Sequence, residues 1–128
     1  MAKFDVKADK SKNRIYVRIE GSLTIDEAGR LKNAYEEAVN ECKPGFTVLN
    51  DVSELRPCIS EVQKTLTEIT EIASRYGVGK VARIVGDTPI AGLQIERISK
   101  SKSHYHGEAF KTVEAAEAYL DEKKSESD

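Results

Sequence analysis

The 128-residue chain has two cysteines, little net charge and no long apolar segment. A net charge of -2 gives no reason to expect nucleic acid as the main partner, because nucleic-acid-binding proteins usually carry a basic surface. No apolar run approaches the roughly 20 residues that a membrane-spanning helix needs. Residues 1–6 enter a strand pattern directly, without an apolar signal region. The length of the chain allows one domain, and the two cysteines, Cys42 and Cys58, need not be bonded, which fits a reducing compartment. Together these features predict a single cytoplasmic domain that binds neither nucleic acid nor membrane.

The motifs that most often carry phosphate chemistry or nucleophilic catalysis are also missing. The sequence contains no Walker-type Gly-Lys-Ser/Thr loop, no Gly-x-Gly-x-x-Gly after a strand and no Gly-x-Ser-x-Gly. His104 and His106 lie in a basic segment that supplies no third zinc ligand. We therefore expect no cofactor, no metal and no enzymatic activity.

Two alternating runs open the chain and predict a β-hairpin. Apolar residues at positions 4, 6 and 8 alternate with charged residues, and a similar alternation recurs at positions 15, 17 and 19. This period of two is typical of strands with one buried face. Because the polar connection at residues 10–13 is short, the two strands should pair antiparallel.

Helices are predicted where apolar residues recur at spacings of three and four. Thr24 and Glu27 form a capping-box pattern before the first helix. Gly77 can end the second helix in a positive-φ conformation. Two further helices should follow the caps Thr88 and Thr112. The apolar stripes of the first and second helices are Ala28, Leu31, Tyr35, Ala38 and Cys42, and Ile59, Val62, Leu66, Ile69, Ala73 and Tyr76.

The remaining apolar runs predict strands between these helices. Residues 46–50 are nearly all apolar, as in an interior strand, and further strands are expected at residues 80–85 and 108–111. The order β-β-α-β-α-β-α-β-α predicts a single α/β domain with a mixed β-sheet, parallel in its middle, packed against helices. We assign residues 1–120 to this domain and residues 121–128 to a flexible charged tail.

Polar residues follow two of the predicted strands. Asp51 and Ser53 come just past the strand that ends at residue 50, and Asp87 and Thr88 come just past the next one. If the strands are neighbours, all four lie on the rim where α/β folds meet ligands. Two carboxylates there can hold a cation or exchange protons. The alternative is that Asp51 and Ser53 bond the loop backbone while Thr88 caps its helix, which is the more common use of these residue types.

Ser60 opens the second helix and allows two interpretations. As a regulated hydroxyl, it would place a phosphate where helix N–H groups and the macrodipole stabilise negative charge. As a cap, it would pair with Gln63 in a second capping box and need no kinase. Arg56 and Lys64 lie close enough in sequence to pair with an anion at this corner.

The order of elements resembles that of the STAS domain, the fold of bacterial anti-sigma-factor antagonists and of the cytoplasmic part of sulphate transporters. The resemblance spans nearly the whole chain, from the hairpin ending Ile19-Glu-Gly21 and the helix after Thr24 to the strand 46–53 and the helix that follows it. In that family a phosphorylatable Ser lies in an Asp-Ser-Ser-Gly motif at the start of the second helix. The corresponding stretch here is Pro57-Cys-Ile-Ser-Glu, in which Ser60 has no Asp before it and no Gly after it.

The resemblance implies a non-enzymatic cytoplasmic regulatory module that binds a protein, such as a regulatory kinase or an anti-sigma-factor-like partner. The interaction or phosphorylation candidates are Ser60, Ser53, Asp51, Arg56, Asp87 and Thr88.

A competing hypothesis is a module that binds a small phosphorylated, acyl or nucleotide ligand at the C-terminal edge of the sheet. A deep apolar pocket there favours this hypothesis, whereas a flat rim with Leu55, Pro57 and Ile59 exposed favours protein binding. The oligomeric state stays open.

Overall fold

The computed structural model describes residues 3–86 and 106–122. Asp87, Thr88, His104 and the helix predicted after Pro89 lie outside the described residues. Within the described ranges the strands are β1 (Lys3–Asp9), β2 (Arg14–Gly21), β3 (Thr47–Leu55), β4 (Lys80–Ile84) and β5 (His106–Phe110), and the helices are α1 (Ile25–Asn40), α2 (Ser60–Arg75) and α3 (Val113–Asp121).

The strands form one sheet in the order β1-β2-β3-β4-β5. The opening hairpin pairs antiparallel, with Val6 opposite Val17, while the other three pairings are parallel. The α/β class and the mixed sheet are therefore confirmed. Because successive crossovers are right-handed and move the same way across the sheet, they place α1 and α2 on the same face.

The main core lies between that face and the two helices. Ile15, Val17 and Ile19 point inward from β2, and Val48 and Val52 do so from β3. Because successive side chains of a strand point to opposite faces, the residues between these ones lie on the other face of the sheet. Burial of this continuous apolar layer is the main stabilising term for the fold.

Helix α1 begins as its sequence predicts. The Thr24 hydroxyl accepts a hydrogen bond from the Glu27 N–H, and the Glu27 carboxylate accepts one from the Thr24 N–H. The Thr24 backbone bond lowers the pKa of Glu27. The helical members of the predicted stripe, Ala28, Leu31, Tyr35 and Ala38, are buried. Cys42 lies beyond the end of the helix, half-buried against the core.

Helix α2 corrects two expectations at its ends. Its N-cap is Ile59, which makes no side-chain capping bond, so Ser60 is the first helical residue and is not the cap. The second capping box is also wrong, because the Gln63 amide donates to the Cys58 carbonyl instead. Ile59 and Tyr76, the two ends of the predicted apolar stripe, are the cap residues of the helix and are exposed. The predicted stop is correct, since Gly77 has φ +84°.

The second face of the sheet holds α3 through a smaller cluster of Leu49, Ala82, Ile84, Ala116 and Leu120. Thr112 caps this helix by accepting a hydrogen bond from the Ala115 N–H, as predicted. The helix includes Asp121, the first residue of the predicted tail. Strand β5 begins at His106, two residues earlier than expected.

Candidate functional site

Strand β3 runs to Leu55, so the prediction that it ends at Asn50 is wrong. Arg18 pairs with Asp51 and Glu20 pairs with Glu54, so that one residue of β2 faces two residues of β3. This β-bulge lets the strand continue, and it shifts by one residue the positions whose side chains face the core. Leu55 consequently points into the core and is 1% exposed, so it does not belong to the exposed rim that would favour protein binding.

Ser53 lies within this bulge and Asp51 is the paired residue just before it, so both belong to the strand and not to a loop. The Ser53 N–H donates to Asp51 Oδ1 at 3.1 Å, and the Ser53 hydroxyl donates to the same oxygen at 2.6 Å. These are the local bonds that Asp and Ser form where the backbone departs from regular structure. Here they stabilise the extra residue of β3.

Arg18 is the third member of this cluster, and the sequence did not single it out. Its guanidinium lies 3.6 Å from Asp51 Oδ2 and donates to Glu20 Oε1 at 3.2 Å. These contacts, first the hydrogen bond to Glu20 and then the charge of Asp51, raise the pKa of Arg18. The one signal for this contact in the sequence was the alternation of apolar and polar residues, which places Arg18 and Asp51 on the side of their strands that faces away from the main core. The two strands become neighbours only in the sheet.

The chain then crosses from β3 to α2 through an exposed segment, which we call the α2 entry loop and define as Arg56, Pro57, Cys58, Ile59, Ser60 and Glu61. All of its residues except Cys58 are exposed. Cys58 holds the loop to the core. Its thiol lies 3.6 Å from the Arg56 carbonyl oxygen, and its own carbonyl accepts a hydrogen bond from the Gln63 amide. Burial raises the pKa of this thiol, which argues against a nucleophilic role.

The candidate residues therefore divide into two groups. Asp51 and Ser53 form the bulge cluster with Arg18, whereas Arg56 and Ser60 belong to the α2 entry loop. Within the two described ranges, no side-chain hydrogen bond or ion pair joins one group to the other. The partners expected for the rim, Asp87 and Thr88, lie outside those ranges.

The described residues contain neither a metal-ligand cluster nor a membrane-spanning helix. In that part of the chain, no group of three His, Cys, Asp or Glu side chains is arranged to hold a metal ion. None of its helices combines the length and apolar character needed to cross a membrane.

No protein-family model matches the chain, and no curated protein matches it. Two solved structures are similar in fold. One is an uncharacterized protein of the DUF3478 family with a SpoIIAA-like fold from Shewanella loihica, with a TM-score of 0.75 and 15% identity over 94% of this chain and 95% of that chain. The other is an anti-sigma factor antagonist from Mycobacterium paratuberculosis, with a TM-score of 0.62 and 15% identity over 95% of this chain and 96% of that chain.

Both similarities extend over nearly the full length of each chain, so they concern the whole arrangement of strands and helices. At this level of identity they describe the fold. The structure accordingly has the SpoIIAA-like, STAS-like fold that the order of its elements predicted.

Proposed function

We propose that the chain is a non-enzymatic regulatory module that binds a protein partner through the α2 entry loop. The likeness in fold to an anti-sigma factor antagonist supports a protein partner, of the regulatory-kinase or anti-sigma-factor type. The loop adds residues suited to recognition: a cation at Arg56, a backbone of fixed φ at Pro57 and an acid at Glu61.

The observation that carries this proposal is the exposure of Ile59 beside Ser60. Ile59 is 56% exposed at the start of α2, so more than half of the surface of this aliphatic residue stays in contact with water. An apolar residue surrounded by polar ones is a common anchor in protein interfaces. The hydroxyl of Ser60 is adjacent, so a change of charge there acts directly on whatever contacts Ile59.

Ser60 supplies a means of regulation in this proposal. It is the first helical residue, and no side chain caps the helix, so the first-turn N–H groups favour an anion. Phosphorylation would add about two negative charges at this position. Lys64 lies one turn further along α2, where it can pair with a phosphate, whereas Glu61 opposes it.

The test begins with capture of the partner by the tagged full chain, followed by affinity measurements on single variants. We expect Ile59→Asp to weaken binding at least about tenfold, because truncating or charging an interface anchor commonly costs about 2 kcal/mol or more. Ser60→Asp should shift the affinity, while Ser60→Ala should leave it close to that of the wild type. Isothermal titration calorimetry measures each dissociation constant.

Glu37→Ala is the matched control, because Glu37 is an exposed residue of α1 far along the helix from its start. All variants should retain the wild-type far-ultraviolet circular dichroism. Equal affinities for Ile59→Asp, Ser60→Asp and the control would remove the α2 entry loop from the interface and end this proposal.

A further inference from the structure

The outward faces of α1 and α2 enclose an open groove of about 520 Å³ on the side away from the sheet. Ile25, Gly29 and Asn33 line it from α1, and Thr65 and Glu68 line it from α2. Ile25 is 54% exposed there. A large aliphatic side chain at the mouth of an uncovered groove between two helices is a feature of interaction surfaces.

Gly29 is the unusual residue of this surface. Glycine lowers the stability of a helix interior relative to alanine, because it fixes more backbone entropy. The fold of this chain does not require it, since a Cβ built at Gly29 meets no atom within 4 Å. A missing side chain in open space on a helix allows the backbone of another helix to approach closely.

We propose that this surface is the two-fold interface of a homodimer, in which α1 packs antiparallel against α1 of a second copy and crosses it at Gly29. Two-fold symmetry brings residues at equal distances before and after Gly29 opposite each other. Asp26, three residues before Gly29, then faces Lys32 of the other copy, three residues after it. Ile25 faces Asn33 in the same way, and each pairing occurs twice.

The charges on this face are complementary under that symmetry. Each α1 presents Asp26 and Lys32 at matching distances from the crossing point, so opposite charges meet at both ends of the contact. Arg30 also lines the groove, next to the crossing point, and is paired with Asp26 of its own chain. In the single chain Asp26 pairs with Arg30 at 3.4 Å on the exposed surface, where an ion pair contributes little. Lys32 donates to Glu68 at 3.1 Å at a half-buried position and has two further ammonium hydrogens to donate. Lys32 can therefore lie between Glu68 of its own chain and Asp26 of the second copy.

This interface is independent of the α2 entry loop and does not rest on the function proposed for it. The groove uses the outward face of α1, whereas Arg56, Pro57 and Ile59 precede α2. The two surfaces share no lining residue.

The test is sedimentation equilibrium of the full chain, with exchanged charges as the diagnostic variants. The wild type should sediment as a dimer that dissociates on dilution. Asp26→Lys or Lys32→Glu alone should weaken self-association at least about tenfold, because each places like charges opposite each other twice. An equimolar mixture of the two variants should recover the dimer. In the mixed dimer the introduced lysine of one chain faces the introduced glutamate of the other, and the remaining native Asp26 faces the remaining native Lys32.

Two further variants separate the interface from the fold. Gly29→Ala should fold normally and self-associate less, because its methyl group meets nothing within its own chain but blocks the second helix. Lys111→Glu makes the same charge change as Lys32→Glu at an exposed residue after β5, and it should leave the dimer intact.

A wild type that stays monomeric at the highest soluble concentration would overturn the inference. So would a dimer that is insensitive to both charge changes, or one that the mixture fails to restore. Binding of an unrelated helical partner to a monomeric chain through Gly29 would likewise replace the second copy as the occupant.

Discussion

Leu66 shows how strongly a single buried side chain supports this fold. It belongs to the main core between α2 and the sheet, whereas Lys64, two residues earlier on the same helix, is exposed. We expect Leu66→Ala to lower the free energy of unfolding by about 2–5 kcal/mol, through lost burial and the cavity that remains. Lys64→Ala should change it by less than about 0.5 kcal/mol. Urea unfolding measures both, and similar losses for the two variants would show that the helix register is wrong.

Gly86 is a residue whose lack of a side chain is required by packing. A Cβ at Gly86 would lie 2.2 Å from the Ser53 carbonyl oxygen, because the segment after β4 passes directly against the bulge of β3. Gly86→Ala should destabilise the fold by about 1–3 kcal/mol, the usual range for overpacking. Gly29→Ala makes the same change where nothing in its own chain is in contact, and in the monomer it should stabilise the fold by up to about 1 kcal/mol. Thermal melts are run at concentrations low enough to keep the wild type and both variants monomeric. Melting temperatures of the two variants that shift in the same direction would contradict this account.

At the scale of elements, α3 is held to the sheet by charge as well as by apolar contact. Arg14 on β2 is 3% exposed and donates to Thr47, Glu117 and Asp121. Tyr16 also donates to Glu117, at 2.9 Å. A buried guanidinium is tolerated only when its donors are satisfied. This cluster therefore ties α3, which packs on β3, β4 and β5, to the neighbouring strand β2.

The contribution of Asp121 to this contact should depend on pH. The hydrogen bond from Arg14 lowers the pKa of Asp121 below its ordinary value of 3.8. A carboxyl with a lowered folded-state pKa stabilises the protein above its ordinary pKa, and that stability is lost as the pH falls through the lowered value. The difference in unfolding free energy between wild type and Asp121→Asn should therefore be largest near neutral pH and shrink in acid below pH 3.8.

Urea unfolding over a series of pH values measures this difference. Glu37→Gln on the exposed surface of α1 is the control and should give a small difference that changes little with pH. An Asp121→Asn difference that stays constant or grows in acid would exclude the ion pair as a stabilising contact.

At the scale of the whole molecule, one sheet joins two cores. Consecutive residues of β3 point to opposite faces, Val48 into the main core and Leu49 into the cluster beneath α3. Because both cores pack on the same sheet, unfolding of the sheet disrupts both of them. We therefore expect the domain to unfold in a single cooperative transition.

The pair Leu66→Ala and Leu120→Ala tests this cooperativity, since the first residue lies in the main core and the second in the smaller cluster. Both variants should lower the midpoint of the same transition, with far-ultraviolet circular dichroism and tyrosine fluorescence giving coincident curves. Two separated transitions in the Leu120→Ala variant would show that α3 unfolds on its own.

The local elements followed from the sequence because their causes are local. The capping box at Thr24 and Glu27, the cap at Thr112 and the positive φ at Gly77 depend on neighbours within a few residues, and each was predicted correctly. The alternation of the hairpin also predicted that Ile15, Val17 and Ile19 are buried. The order of these elements was enough to predict the STAS-like fold.

Tertiary structure alone decided the details of the candidate site. The bulge that extends β3 to Leu55 arises from its pairing with β2, and that pairing also brings Arg18 beside Asp51. No window of sequence around residue 51 contains the strand β2, which lies on the far side of α1 in the chain, so the end of β3 was predicted wrongly. The contacts of Arg14 with Glu117 and Asp121 likewise join residues that are far apart in the chain. Such contacts are set by the order of strands in the sheet and not by local propensity.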